Sequence, residues 1–412
     1  MEEVLIKERL RGEDSEEAVL EHHHKVMKKI QSQFRKNWQH KLENLGFGYH
    51  SLDGLYWDES HYYEFSVDEV HKIENATAEL WQMCLEAIDY IISKNLWEHF
   101  NIPKWFRNYI ITSWEEDHPS IYGRFDFGFD GENIKLLEFN ADTPTSLYEA
   151  SVIQWYWLQE MFPHKDQFNS IHEKLVDYWK YLKAYMNPHY LYFASLTNVE
   201  DVTNVEYMRD CATQAGFETE FIPIQDIGWA EEINEFVAAD KSIMEYIFKL
   251  YPYEWILGDG FGEKLVSNGF RSQWIEPAWK ILLSSKAILP ILWEMYPNHE
   301  YLLEAYLEPK HLNDFVKKPI YSREGANVAL YKNNVCIEEN DGVYGKEGYI
   351  YQQLFNLPDF NGSYPIIGSW IIGQESAGIG IRESTHLITN NQSRFVPHLI
   401  DENKMYIKEK EL

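Results

Sequence analysis

The sequence predicts a mixed fold of the α+β and α/β classes, and three stretches of its 412 residues carry this prediction. Residues 189–224 have a strand–helix–strand pattern, which implies parallel strand pairing. Residues 121–157 contain two aromatic strand candidates around a turn, and residues 314–400 alternate short strand-like runs with glycine-containing turns. The last pattern is typical of an antiparallel sheet in an α+β unit. A hydrophobic content of 45% and a charged content of 25% agree with a globular enzyme-sized chain.

Charge and cysteine content narrow the functional classes. A net charge of −29 argues against a nucleic-acid partner or an anionic membrane surface. It is compatible with a cationic substrate such as a polyamine, although an acidic surface explains it equally simply. Cys84, Cys211 and Cys336 lie far apart and form neither a disulfide framework nor a zinc motif, which favours a reducing cytoplasm. The absence of an apolar run of about 18 residues predicts no membrane span and no secretion signal.

The N-terminal region is expected to be helical. Apolar residues recur at helical spacing from 67 to 95 and predict one long amphipathic helix. The run of histidines at 22–24 is a poor metal site, because adjacent residues point away from one another on a helix, so a solvated surface is preferred. Residues 165–187 are expected to form another helix.

The middle of the chain is expected to form a βαβ unit. Its strands are predicted at 190–194 and 218–222, and its helix at 202–215 is closed by Gly216. No GxGxxG motif occurs in the first turn, so a dinucleotide site is not predicted. Residues 231–250 are expected to be helical, residues 261–270 a loop or short strand, and residues 274–296 mostly helical.

The stretch from 121 to 157 carries the first candidate site. Strand alternation places Arg124 and Asp126 on one face, and Glu138 and Asn140 on one face of the next strand. A two-residue loop would put Asp126 and Glu138 on opposite faces, whereas an odd-length loop would pair Asp126 with Glu138; we predict the odd-length loop. Carboxylate and amide oxygens suit Mg²⁺, and an arginine beside them suits a phosphate. An Arg–Asp–Glu ion-pair network is an equally good interpretation of these residues alone.

A helix start is predicted directly after this site. Ser146 and Glu149 have the spacing of a capping box, with a helix running on through Trp157. A helix N-terminus favours anions, so it would suit a site that handles phosphate. An ordinary helix cap explains the same spacing.

The last third of the chain carries a second candidate site. Lys317 and Lys318 lie on a short strand that leads into the small-residue turn SREGANVAL, where backbone N–H groups and a lysine can hold phosphate. Lys346 and the strand GYIYQQL suit an adenine slot, and Arg382 follows two glycines in SAGIGIRES. A β-hairpin with exposed lysines and a glycine-kinked strand with a surface arginine are the simpler interpretations.

Several long motifs occur together in a fixed order: GRFDF, LLEFNADTPTSLYEA, EPAWKILLSSKAILPILWE, VKKPIYSREGANV, GYIYQQL, GSWIIG and AGIGIRE. Over residues 35–400 the sequence resembles the glutathionylspermidine synthase family, and more closely its stand-alone synthetase-like members, the acid–amine ligases. The resemblance implies an ATP-grasp-like fold with rearranged subdomain order. It implies four regions of one synthetase domain: an N-terminal helical region (1–120), strands and helices for metal and acyl substrate (121–187), a βαβ pre-ATP-grasp-like unit (188–270) and a C-terminal antiparallel nucleotide-gripping region (271–412).

The resemblance also implies a reaction, its cofactors and its residues. ATP, with Mg²⁺, would phosphorylate a small peptide-like carboxylate, and an amine, such as a polyamine, would attack the acyl phosphate to give an amide. The roles that it implies fall into four groups. Arg124 and Arg382 match catalytic arginines; Asp126, Glu138 and Asn140 match Mg²⁺ ligands; Lys286, Lys318, Gly325, Lys346 and Gln353 match the ATP site; Thr145 and Ser146 lie at the substrate position. Lys317 is the less favoured lysine of its pair.

The sequence departs from the family in two places. The N-terminal stretch is too short for the Cys/His amidase domain of the bifunctional members and has no cysteine before Cys84, so no hydrolysis of the product is expected. The segment NADTPTS differs from the family's NADSAS type at positions that would contact the acyl substrate, which leaves glutathione and spermidine open. A catalytically inactive ATP-binding scaffold, or a ligase that joins amino acids or peptides, are the alternatives.

Overall fold

The computed structural model describes residues 27–51, 54–186, 189–390 and 392–401. The histidines at 22–24 lie outside the described residues. Three sheets with four or five strands form the body of the fold, with a smaller three-stranded sheet and a two-stranded ribbon. The predicted mixed class is therefore confirmed. No helix in these ranges is both long enough and apolar enough to cross a membrane.

The helices vary from five to 28 residues in length. They are α1 (Trp38–Asn44), α2 (Val67–Lys94), α3 (Lys104–Glu115), α4 (Gln154–Met161), α5 (Ile171–Lys183), α6 (Val199–Gln214), α7 (Tyr253–Gly258), α8 (Phe261–Asn268), α9 (Lys280–Ser284) and α10 (Ile288–Met295). A π-helical turn, Glu149–Ile153, precedes α4, and short 3₁₀ turns occupy Leu96–Phe100 and Ile224–Asp226.

The strands are mostly short. They are β1 (Lys28–Gln31), β2 (His61–Ser66), β3 (Tyr122–Phe129), β4 (Ile134–Asn140), β5 (Leu191–Ser195), β6 (Thr219–Pro223), β7 (Gly228–Ala230), β8 (Glu235–Val237), β9 (Tyr246–Leu250), β10 (Gln273–Ile275), β11 (Ala305–Tyr306), β12 (Phe315–Pro319), β13 (Ala329–Lys332), β14 (Val335–Glu339), β15 (Tyr349–Gln353), β16 (Tyr364–Ile372), β17 (Glu375–Ser384), β18 (Arg394–Val396) and β19 (His398–Asp401).

The long helix α2 forms where its apolar periodicity predicts it. Ser66 accepts a hydrogen bond from the backbone N–H of Glu69, and the Glu69 side chain accepts one from the backbone N–H of Ser66, so both residues complete a capping box. Asn95 ends the helix in the left-handed conformation, with φ 56°. The apolar face of α2 packs in the core with the phenylalanines of β3 and with Trp279.

The predicted βαβ unit is confirmed. Strands β5 and β6 pair in parallel with α6 between them, and Gly216 follows the helix with φ +92°. The parallel sheet, which has the strand order β10-β9-β5-β6, contains two further strands that the sequence did not predict. Residues 231–250 form β8 and β9 rather than a helix, and residues 261–270 contain α8 rather than a loop or strand.

The predicted C-terminal strands are all present, but they divide between two sheets. Strands β12 to β15 join β11 in the order β11-β15-β12-β13-β14, here called the β12 sheet. Strands β16 and β17 leave it and pair with β3, giving the order β18-β17-β16-β3-β4, here called the β3 sheet. The C-terminal region is thus not one antiparallel unit, and the β3 and β12 sheets bring the two candidate sites together.

Candidate active site

The register of β3 and β4 places the predicted polar residues opposite each other. Arg124 pairs with Asn140 and Asp126 pairs with Glu138, which confirms the predicted register. The predicted odd-length loop is wrong. The loop between Phe129 and Ile134 has four residues, and the extra residue is a β-bulge at Leu137, between the Asp126 and Phe127 pairs. On the opposite face Phe125 stacks on Phe139 with ring centroids 3.8 Å apart.

Two arginines converge on Asp126. Arg124 donates from Nε to Asp126 Oδ1 over 2.6 Å and from Nη2 to Oδ2 over 3.1 Å. Arg382 donates from Nη2 to Asp126 Oδ2 over 2.7 Å, although its strand β17 is separated from β3 by β16. Burial alone would lower the pKa of Arg124, but the adjacent Asp126 carboxylate raises it. Both arginines thus share the single carboxylate of Asp126 as an ion-pair partner.

Glu138 lies among cations as well. Lys286 Nζ is 3.2 Å from Glu138 Oε2 and also donates to the backbone carbonyl of Ser322. Burial alone would raise the pKa of Glu138, but the charges of Lys286, Lys318 and Arg382 hold it well below its usual range. The carboxylate is thus ionised at any neutral pH, as a cation ligand must be.

Lys318 connects the β12 sheet to β4. Its Nζ donates to the Leu137 carbonyl at the bulge and to Gln352 Oε1, each over 2.7 Å. Gln352 in turn donates to the Leu136 carbonyl over 2.9 Å. Burial lowers the pKa of Lys318 to about 8, while Glu138 opposes that shift. Lys317 points elsewhere and lies 4.1 Å from the ring centroid of Tyr349, in agreement with its lower ranking.

One cavity of about 560 Å³ collects these side chains. Ten of the twelve predicted site residues line it: Arg124, Asp126, Glu138, Asn140, Thr145, Lys286, Lys318, Gly325, Gln353 and Arg382. Gly325 has φ +67°, and a Cβ there would lie 2.3 Å from the carbonyl of Thr389, so the turn requires glycine. Thr145 accepts a hydrogen bond from Arg124 Nη1 through its backbone carbonyl.

Two predicted residues do not line the cavity. Lys346 is exposed in the turn before β15 and is absent from the lining. Ser146 is buried, in the left-handed conformation with φ 65°, and its hydroxyl lies 3.3 Å from the Tyr56 hydroxyl. The predicted capping box is wrong, because the Glu149 carboxylate accepts from Tyr49 and Tyr56 instead. Asn204 on α6 accepts from the N–H of Leu147 and so satisfies this helix start.

The sequence did not predict the acidic wall of the cavity. Besides Asp126, Glu138 and Asp142, which is paired with Lys249, four carboxylates line the cavity: Glu200, Asp201, Glu254 and Glu324. Arg323 stands among them, with its Nε 3.8 Å from Glu254 Oε1 and its guanidinium carbon 5.2 Å from the Trp255 ring. Arg323 also donates to Thr143 Oγ1. The available signal for Arg323 was its position in SREG, two residues before the required Gly325, and Glu324 shares that motif. Glu200, Asp201 and Glu254 lie on helices far away in the chain, which gave no signal.

The donor set on β3 and β4 fits a hard cation. Asp126 and Glu138 are directly opposite each other, and Asn140 Nδ2 is within 3.3 Å of an oxygen of each. The described residues contain no group of three His, Cys, Asp or Glu side chains suited to a metal. Two carboxylates and one amide are sufficient for Mg²⁺, which keeps waters and phosphate oxygens as its other ligands. The same carboxylates also form the ion pairs that the alternative interpretation predicted.

Comparison with known proteins gives the family. The family model described as "Glutathionylspermidine synthase preATP-grasp" matches residues 29–401. The chain belongs to the glutathionylspermidine synthase family. A Haemophilus influenzae protein named "Putative acid–amine ligase" is 42% identical over 382 residues, covering 88% of this chain and 97% of that protein. The predicted family is thereby confirmed, and such names agree with the predicted C–N bond-forming ligase.

More distant members of the family are longer. The Escherichia coli bifunctional glutathionylspermidine synthetase/amidase is 26% identical over 89% of this chain, which spans 64% of that protein. The Crithidia fasciculata trypanothione synthetase is 28% identical over 72% of this chain and 50% of its own length. Among solved structures, a glutathione synthetase-like effector of Globodera pallida aligns with a TM-score of 0.52, 10% identity and coverage of 82% and 89% of the two chains. That likeness concerns the fold alone.

Proposed function

We propose that this protein is an ATP- and Mg²⁺-dependent carboxylate–amine ligase that makes an amide through an acyl phosphate. One observation carries the proposal. A single cavity joins a cluster of four cationic side chains around Asp126 and Glu138 to a wall of four carboxylates. The first feature suits anionic phosphates and the second suits a cationic amine, and a ligase of this class must bind both.

The cationic end suits phosphoryl transfer to a carboxylate. That step brings two anions together, so its main requirement is positive charge at the oxygens that exchange the phosphoryl group. We assign Arg124 and Arg382 to these oxygens, because both guanidinium groups line the cavity and neither is drawn away by a solvent-exposed partner. Asp126, Glu138 and, after rotation of its amide, Asn140 would hold Mg²⁺, which would neutralise phosphate charge there.

The nucleotide is assigned to the β12 sheet. Lys286 and Lys318 line the cavity close to Glu138 and would contact the phosphates, and the Gly325 turn lines the same cavity. Val316, Leu330 and Ile388 supply an apolar surface for a base, with Gln353 at its edge. These assignments, and the division into an ATP-grasp nucleotide region and a pre-ATP-grasp unit, stay predictions.

The acid and the amine are assigned by charge. Thr145 and Arg323 also line the cavity, and an arginine there suits a second carboxylate of a peptide-like acid. The acidic wall suits an ammonium group, and a polyamine is one amine of this kind. The cytoplasmic location expected from the unpaired cysteines also stays a prediction.

The test is a matrix of substrates with Mg²⁺ and ATP. The acids are glutathione, γ-glutamylcysteine, glycine and glutamate; the amines are spermidine, putrescine, ammonium and alanine. ADP release that requires both an acid and an amine, with a product of the mass of their amide, is the expected result. Asp126→Ala and Arg382→Ala should each lower turnover at least about a hundred-fold. ATP binding without acid- and amine-dependent ADP release would instead indicate an inactive scaffold.

A further inference from the structure

Residues 141–145, here called the 141–145 loop, follow strand β4 and form neither helix nor strand. Two groups of this loop nevertheless bind arginines that line the cavity. The Thr145 carbonyl accepts a hydrogen bond from Arg124 Nη1, and the Thr143 hydroxyl accepts one from Arg323 Nη2. The positions of both guanidinium groups therefore depend on the conformation of a loop that no helix or sheet fixes.

A buried ion pair holds the middle of this loop. Asp142 Oδ1 accepts a hydrogen bond from Lys249 Nζ on β9, and Asp142 Oδ2 accepts one from the backbone N–H of Tyr253, at the start of α7, over 2.9 Å. Lys249 Nζ also lies 4.0 Å from the centroid of the Tyr253 ring. The Lys249 side chain is 0% exposed and that of Asp142 is 1% exposed. Both carboxylate oxygens thus have a partner, and water screens neither charge.

Helix α9 holds the backbone at the beginning of the same loop. Ser284 Oγ accepts hydrogen bonds from the backbone N–H groups of Ala141 and Asp142, over 3.2 and 2.7 Å. Lys280 Nζ donates to the Ala141 carbonyl over 3.0 Å. These bonds fix only the first two residues of the loop. The direction in which it continues towards Thr145 depends on the Asp142 side chain as well.

Lys249 can act on the site only through Asp142. Among the described residues that line the cavity Lys249 is absent, whereas Asp142 is present. Without the ammonium group, the Asp142 carboxylate would keep one of its two hydrogen bonds, that from Tyr253. An uncompensated buried charge is costly, so the loop would move to bring the carboxylate to water. The Thr145 carbonyl would move with it and would no longer hold Arg124 in place.

We propose that Lys249 is a positioning residue for the phosphoryl transfer, because it fixes the 141–145 loop through Asp142. The proposal rests on the ligase function proposed above. Arg124 is assigned there to the oxygens that exchange the phosphoryl group. A displaced Arg124 stabilises the transition state less well, and this loss appears in kcat.

The lysines assigned to the ATP phosphates are held by other parts of the chain. Lys286 donates to the carbonyl of Ser322, and Lys318 donates to a carbonyl of β4 and to Gln352. None of these bonds involves the 141–145 loop. ATP should therefore bind as before when the loop moves, and loss of the ion pair should change kcat without changing the KM for ATP.

The experiment compares Lys249→Met with a variant that breaks a similar ion pair elsewhere. Arg35 and Glu59 form a buried pair over 2.6 Å, with side chains 2% and 0% exposed, and both are absent from the described cavity lining. Arg35→Met is therefore the matched control. Acid- and amine-dependent ADP release gives kcat and the KM for ATP, and urea unfolding gives the folded fraction by which kcat is divided.

The expected result is a loss confined to kcat. Lys249→Met should lower kcat on the order of 10²-fold and keep the KM for ATP within about two-fold of the wild type. Arg35→Met should lose stability but keep its kcat within about two-fold. The double variant Lys249→Met with Asp142→Asn leaves no unpaired charge in the core, so it should regain stability while kcat stays low. It replaces Lys249→Met in the comparison if that variant does not fold.

Three results would overturn the proposal. Wild-type kcat in folded Lys249→Met, or in the double variant, would show that the ion pair does not position the site. An equal fall of kcat in Arg35→Met would show that Lys249 matters for stability alone. A raised KM for ATP with unchanged kcat would assign the loop to nucleotide binding. Wild-type protein without acid- and amine-dependent ADP release would refute the ligase function itself, which is a different failure.

Discussion

At the scale of single residues, the site depends on a glycine, Gly368, which has no side chain. Gly368 on β16 pairs with Asp126 on one side and with Gly380 on the other. A Cβ at Gly368 would lie 2.8 Å from Arg124 Cδ. The absence of a side chain leaves room for the Arg124 stem, and Trp370, two residues on, lies 5.7 Å from its guanidinium carbon.

Gly368→Ala should therefore displace Arg124 while leaving the fold intact. We expect kcat to fall on the order of 10²-fold, because a displacement of about 1 Å at a catalytic group has such an effect. Steady-state kinetics of ADP release measures it. Gly260→Ala is the matched control, since a Cβ at Gly260 meets nothing within 4 Å. Full activity of Gly368→Ala would mean that the position of Arg124 is not critical.

Single residues could be predicted where the signal was local. Arg124, Asp126 and Glu138 follow from strand alternation over a few positions, and their register is confirmed. Gly368 could not be assigned a role, because its neighbour Asp126 is distant in sequence and strand pairing is a tertiary event. The capping role of Ser146 was predicted from spacing alone, and the two tyrosines that bind Glu149 come from a loop that no local rule connects to it.

At the scale of elements, strand alternation in β12 makes two adjacent lysine side chains point to opposite faces of the sheet. Lys318 points to β4 and the cavity, and Lys317 points away onto the Tyr349 ring. The bulge at Leu137 offers the carbonyl that Lys318 binds, so the irregularity of β4 and the position of β12 depend on each other. The two sheets that form the cavity are thus held together at the site itself.

The variants Lys318→Met and Lys317→Met test this assignment of the two lysine side chains to opposite faces of β12. Lys318→Met removes a buried charge that would bind ATP phosphate, so we expect ATP-dependent turnover to fall at least about thirty-fold, in the range of a lost charged hydrogen bond. Lys317→Met should change turnover less than two-fold. The measurement is kcat/KM for ATP, with thermal unfolding of both variants to check the fold. Similar losses in both variants would contradict the assigned orientation of β12.

Helices and strands were predicted well where their hydrophobic residues recur at regular helical or strand spacing. Helix α2 and the strands from β12 to β17 form where their patterns place them. Strand β9 was predicted as part of a helix, because it lies between β10 and β5 and is largely buried, so its sequence YIFKL is apolar on both faces except for Lys249 and does not alternate. Such a run cannot be distinguished from a buried helix by periodicity. Likewise, no local pattern predicted that β16 and β17 would leave the β12 sheet.

At the scale of the whole molecule, the two ends of the described chain meet. Strand β19 pairs in parallel with β2, and β18 pairs with β17. Lys29 on β1 and His61 and Tyr63 on β2 all bind the Glu383 carboxylate, next to Arg382 on β17. Burial opposes ionisation of Glu383, but its three partners lower its pKa to about 2. The N-terminal strands therefore support the strand that carries a proposed catalytic arginine.

The pairing of β19 with β2 also places His398 where protonation of its side chain is unfavourable. His398 on β19 is fully buried, its Nδ1 donates to Gln154 Oε1 over 2.9 Å, and its Nε2 has no hydrogen-bond partner within the described ranges. Burial lowers the pKa of His398 from 6.5 to about 3. Between these values the unfolded chain binds a proton that the folded protein does not. The contribution of His398 to stability is therefore complete above about pH 6.5 and is lost as the pH falls towards 3.

The stability of His398→Gln should therefore depend less steeply on pH. We expect the free energy of unfolding of the wild type to fall faster than that of the variant, by up to about 1.4 kcal/mol per pH unit, between pH 6 and pH 4. Urea unfolding at several pH values measures the two slopes. His71→Gln, at an exposed position on α2, is the control and should keep the wild-type slope. Parallel slopes for the wild type and His398→Gln would mean that His398 is protonated in the folded protein, which would require a buried acceptor or an opening between β19 and α4.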